Sequence, residues 1–87
     1  MIHARDDYNR IQDPGLDDPG LIPNGCTPFA SDEPVFLLRA QDITAPAVVR
    51  EWADLNEKLG GDPNAIQLAR NHADLMESWG HRKLADV

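Results

Sequence analysis

The 87-residue sequence has a single cysteine, Cys26, so no disulfide can close within the chain. It also lacks the paired Cys and His spacings that make a zinc site. No apolar run is long enough to span a bilayer, and the opening MIHARDDYNR lacks the pattern of a signal peptide. These absences predict an intracellular soluble protein without a membrane span, structural metal or cofactor. Bases are scarce too: eight Lys and Arg stand against fifteen Asp and Glu, a formal charge of −7. Residues 1–33 carry seven acids against two bases, a balance of −5, and residues 34–87 eight against six, a balance of −2. Duplex nucleic acid is repelled by such a chain, and no basic stripe with interleaved aromatics offsets this. A local anion pocket in the near-neutral second part remains open.

Catalytic patterns are missing as well. Cys26 lies in the turn-like NGCTP with no histidine near it in sequence, and a thiol is reactive only where its pKa is depressed. His72 and Asp74 are two positions apart and cannot face each other on a helix. No paired acids, Gly-rich phosphate loop, Walker sequence or metalloprotease signature occurs. The sequence predicts a protein that is not an enzyme.

What is present divides into an acidic arm, residues 1–33, and a small strand-plus-two-helix domain, residues 34–87. In the arm, "DPGLDDPGLIPNG" repeats Asp-Pro-Gly-Leu, and Asp-Pro-Gly makes tight turns. Five of the seven prolines fall at or before Pro34, so no regular secondary structure is expected there. The arm is either a flexible leader or a segment ordered against a neighbouring subunit. In the second case Tyr8, Ile11, Leu16, Leu21, Ile22 and Phe29 are its apolar anchors.

Pro34 opens one strand candidate, residues 35–40, whose apolar run Val35-Phe36-Leu37-Leu38 fits a strand buried on both faces. One strand cannot satisfy its own backbone, so it must pair with the arm, a neighbouring chain or both. Because a domain this small is marginally stable alone, the pairing argument predicts a homo-oligomer.

Two helices follow. Thr44 or Asp42 can cap the first, with Pro46 in its first turn and Gly60-Gly61 as its stop. Val48, Trp52, Leu55 and Leu59 form its apolar stripe, and Asp54 with Lys58 makes an i,i+4 pair. Asp62 caps the second helix, residues 63–79, with Pro63 at its first position. That helix has two stripes: Ile66, Ala69, Ala73 and Met76, then Leu68, His72, Leu75 and Trp79. Two apolar sides need two partners, the first helix on one and a strand or second subunit on the other. The basic tail after Gly80 suits a helix carboxyl end. The expected architecture is α+β: an extended arm, one short strand and a helical hairpin, completed by oligomerisation.

The candidate ligand-binding residues are Arg39, Gln41, Asp42, Arg50, Trp52, Arg70 and His72. Arginine offers a planar fork for carboxylate or phosphate and stacks on rings, and Trp52, Trp79 or Phe36 supplies a surface for a base. These arginines either pair with the abundant acids or line a pocket for a small nucleotide-like anion.

The stretches "DEPVFLLRAQD", "APAVVREWAD", "GGDP" and "ARNHADLMESW", with the leader "YNRIQDPG", resemble a family of small, functionally uncharacterised proteins of tailed bacteriophages and prophages. The resemblance covers residues 32–86. It implies a phage origin and action in the host cytoplasm, and it points to the polar motif positions Arg39, Gln41, Asp42, Arg50, Arg70, His72 and Asp74. Such an origin favours a non-enzymatic binding protein that counters host defence by sequestering a nucleotide-derived signal. The alternatives are an acidic inhibitor bound to a host protein, or a minor virion or assembly component.

Overall fold

The structure, a computed structural model, describes residues 1–11 and 29–86. The Asp-Pro-Gly turns, Cys26 and the anchors Leu16, Leu21 and Ile22 lie outside the described residues. The chain forms two compact units, Met1–Leu37 and Leu38–Val87.

In the first unit, strand β1 (Ile2–His3) pairs in parallel with β2 (Pro34–Val35), in the register Ile2 to Pro34 and His3 to Val35. The Ile2 N–H donates to the Glu33 carbonyl at 2.8 Å. A 3-10 helix follows β1 over Asp6–Ile11. The expectation of no regular structure before Pro34 is thus corrected over residues 1–11. Proline clusters only from Pro14 onward, which leaves residues 1–11 free to donate backbone N–H groups. Arg5 fixes the turn into the 3-10 helix, its guanidinium lying 4.9 Å from the Tyr8 ring centre and 3.2 Å from Asp7.

The single long strand is corrected too. β2 stops at Val35 because its partner, β1, is two residues long and then bends into the 3-10 helix. Phe36 has no ladder to join and is 73% exposed, so the apolar run is not a strand buried on both faces. The need for a pairing partner is met within the chain, by its own first residues. At this level the protein is a small α+β fold: a two-stranded parallel sheet and a helical hairpin.

The hairpin consists of α1 (Ala45–Lys58) and α2 (Pro63–Glu77). Asp42 accepts from the Thr44 N–H at 2.9 Å and the Thr44 hydroxyl at 2.8 Å, so Asp42, rather than Thr44, shapes the start of α1. Gly60, at φ +81°, ends it: the Gly61 N–H reaches back to the Asn56 carbonyl at 2.7 Å and Gly60 N–H to Glu57 at 3.2 Å. This crossed pair satisfies carbonyls that a helix end otherwise leaves open. Asp62 caps α2 as expected, accepting from the Asn64 N–H at 3.0 Å.

The helices meet along small side chains. Ala45, Ala53 and Ala73 have no exposed surface, and Ile66 and Met76 fill the space beside them. The first α2 stripe therefore faces α1, as its spacing predicts. The α1 stripe does not. Val48, Trp52, Leu55 and Leu59 are 43%, 48%, 58% and 85% exposed, and the second α2 stripe, with Leu68 at 69% and Leu75 at 64%, is open as well. Alanines permit close approach of the two backbones, which leaves no room between the helices for the larger side chains. The tail after Gly80 returns to the start of the hairpin: the Lys83 N–H donates to Gln41 O at 2.7 Å and the Ile43 N–H to Lys83 O at 2.8 Å.

Candidate functional site

Arg50 and Arg70 are committed to holding the hairpin together. Arg50 of α1 donates to Asp74 at 2.8 Å and Glu77 at 2.6 Å on α2. Arg70 of α2 donates to Asp54 and Glu57 on α1, both at 3.0 Å. Hydrogen bonds to Asp74 and then Glu77 raise the Arg50 pKa above its ordinary value, and Glu57 and then Asp54 do the same for Arg70. The bond from Arg70 holds the Glu57 carboxyl below the usual range. Asp54 thus pairs across the hairpin with Arg70, and the expected Asp54–Lys58 pair is not the contact it makes.

The reciprocity has a source in the sequence that the periodicity reading missed. The pattern R-x-x-A-D-L-x-E occurs at residues 50–57 and again at residues 70–77. Each arginine reaches the Asp and Glu of the other copy, and each alanine of the pattern is fully buried. Two antiparallel helices with the same pattern are related by a local half turn, so each ion-pair contact is made twice. Comparing the chain with itself at an offset of twenty residues reveals it.

The same relation organises the opposite face. On a helix that turns 100° per residue, the stripe residues lie on the side away from the arginine pairs. Residues at equivalent positions of the two helices, Val48 and Leu68, Val49 and Ala69, Trp52 and His72, line one groove of about 540 Å³ together with Leu38. Two candidates, Trp52 and His72, therefore share this groove. The groove walls are almost wholly apolar, and no arginine lines it.

Arg39 and Gln41 belong to a second, smaller hollow of about 300 Å³, lined by Arg39, Ala40, Gln41 and Trp79. Trp79 leaves α2 half exposed, with His81 edge-on at 6.0 Å. The backbone of the returning tail fixes Gln41 through its carbonyl, and Arg82 donates to the Ile43 carbonyl at 2.8 Å. Asp42 points away from a ligand role, since its carboxylate serves Thr44. The Thr44 N–H, then the Thr44 hydroxyl, and last the nearby Arg82 hold its pKa below the usual value against desolvation. The seven candidates thus divide four ways: Arg39 and Gln41 share a hollow, Trp52 and His72 share a groove, Arg50 and Arg70 brace the hairpin, and Asp42 shapes a turn. Trp79 is the residue the tertiary structure adds to Arg39.

Among the described residues no helix is long and apolar enough to cross a membrane, and no group of three potential metal ligands occurs. The chain matches no family model, no curated protein and no solved structure.

Proposed function

We propose that this chain is a non-enzymatic binding protein of phage type that counters host defence by sequestering a nucleotide-derived anion in the hollow of Arg39, Gln41 and Trp79. One observation carries the reading. Of the three arginines in the motifs, Arg50 and Arg70 each hold two carboxylates, whereas Arg39 makes no ion pair among the described residues and lines a hollow with a half-exposed indole. A guanidinium fork for phosphate next to a ring for base stacking is the minimum that nucleotide recognition needs. Gln41 adds an amide that can both donate to and accept from a base edge.

Calorimetry with a panel of cyclic and linear nucleotides tests the proposal. Micromolar binding by at least one member is expected, with Arg39→Ala and Trp79→Ala each weakening it by tenfold or more, on the order of 1.4 kcal/mol. Arg50→Ala is expected to leave affinity unchanged. No binding by any nucleotide at micromolar concentration overturns the reading. It would leave the acidic inhibitor of a host protein, for which residues 1–33 supply the carboxylates.

A further inference from the structure

We propose that the apolar face of the hairpin is the docking surface for a second copy of this chain, laid against it antiparallel so that the two hairpins form a four-helix bundle. Three observations point to a copy of the same chain rather than to another occupant.

The first is what the hairpin lacks. No large side chain among the described residues is fully buried, and the buried apolar set in the hairpin is Ala45, Pro46, Ala53, Ile66, Ala73 and Met76. Meanwhile six side chains at equivalent positions, Val48, Trp52, Leu55, Leu68, His72 and Leu75, stand open on one face. At on the order of 100 Å² apiece they offer roughly 600 Å², and their flanks bring this near the ~800 Å² per partner of a stable interface.

The second is the symmetry of that face. Its left and right halves carry matching positions twenty residues apart, so it repeats its own pattern after a half turn. An isologous contact needs a surface complementary to itself, and a face with a local two-fold already presents the same ridge and groove to a copy approaching from either direction. The Trp52–His72 groove then receives the leucines of the facing hairpin.

The third is charge. A chain of net charge −7 resists self-association wherever its acids meet. Glu57, Asp74 and Glu77 are tied to Arg50 and Arg70 on the other face. The charges beside Leu55 on α1 are Glu51, Lys58 and Asp54, the last already paired with Arg70. The two left to meet a copy are Glu51 and Lys58, of opposite sign, four residues before and three after Leu55. An antiparallel crossing of α1 on its copy at Leu55 sets Glu51 of each against Lys58 of the other.

Sedimentation of the full chain in a dilution series from about 50 µM downward reads both the mass and the dissociation constant. The expected result is an even multiple of the chain mass. Leu55→Glu and Leu75→Glu should each raise the dissociation constant at least about tenfold while circular dichroism keeps its helix signal. Glu51→Lys should weaken association, and Lys58→Glu added to it should restore it. A monomeric wild-type chain, its face bare or covered by its own residues, overturns the proposal. So does an oligomer whose dissociation constant ignores both leucine substitutions. Should those variants lose helicity, the charge series decides alone, and an unaltered dissociation constant with Glu51→Lys overturns the proposal. Nucleotide binding plays no part in these readouts.

Discussion

Arg50 near the start of α1 donates to Asp74 near the end of α2 at 2.8 Å, across 24 residues of sequence. Its equivalent, Arg70, returns the gesture to Asp54 at 3.0 Å. The pair of contacts fixes both the antiparallel sense and the register of the hairpin. It also explains why two arginines that suit a phosphate are occupied.

Because these pairs are solvent-exposed, their removal should be mild. Arg50→Ala and Arg70→Ala are each expected to lower the melting temperature by about 2–4 °C at low salt and by less in molar salt. Thermal melts at two ionic strengths check this. A double variant losing much more than the two singles combined would reveal coupling through the shared hairpin.

The carboxyls of Glu57 and Asp42 are held below their ordinary pKa, Glu57 first by Arg70 and Asp42 first by the Thr44 N–H. A carboxyl with a lower pKa folded than unfolded adds stability that is complete above the unfolded value and fades as pH falls through the folded one. The melting temperature should therefore be flat from neutral pH down to about 5 and fall below about 4. Glu57→Gln and Asp42→Asn should each start lower and fall less steeply, as acid titration of the melts would show.

Gly60 sits at φ +81° and Gly61 has its Cα against the Asn56 carbonyl, where an added Cβ would stand 3.0 Å from the oxygen. Gly60→Ala should cost about 1–2 kcal/mol through the left-handed conformation. Gly61→Ala should cost about 1 kcal/mol or more through the clash, since backbone cannot yield as a side chain can. Urea unfolding measures both.

Ala73 has no exposed surface at the helix contact. Ala73→Leu should destabilise the hairpin by about 1–3 kcal/mol because the close-packed seam has no space for the added carbons. Ala53→Leu, at the equivalent position, should do the same by a similar amount. A large difference between them would break the local two-fold relation, and urea melts of the two variants give the comparison.

Much of the hairpin is legible in the sequence. Pro46, Gly60, Asp62 and Pro63 mark helix ends through short-range sterics and capping, which depend only on neighbours in the chain. The inward stripe of Ile66, Ala69, Ala73 and Met76 follows from helical periodicity. The candidate site is legible only in part. Arg39 and Gln41 stand out as polar residues leaving an apolar run, but Trp79 joins them only because the chain beyond α2 folds back on Gln41.

The sequence by itself determined the two helices, their caps and the turn between them, because those are local decisions. The tertiary structure decided that the stripe of Val48, Trp52, Leu55 and Leu59 on α1 stays open, since the seam of Ala45, Ala53 and Ala73 buries the small side chains instead and allows closer backbones. It also decided that the run from Val35 to Leu38 is mostly not strand, because strand requires a partner and β1 supplies two residues of one. And it separated arginines that look alike in sequence: Arg50 and Arg70 meet carboxylates across the hairpin, while Arg39 lines a hollow with the Trp79 indole. Whether a guanidinium is spent or available depends on what lies within about 4 Å of it, and that distance is a property of the fold.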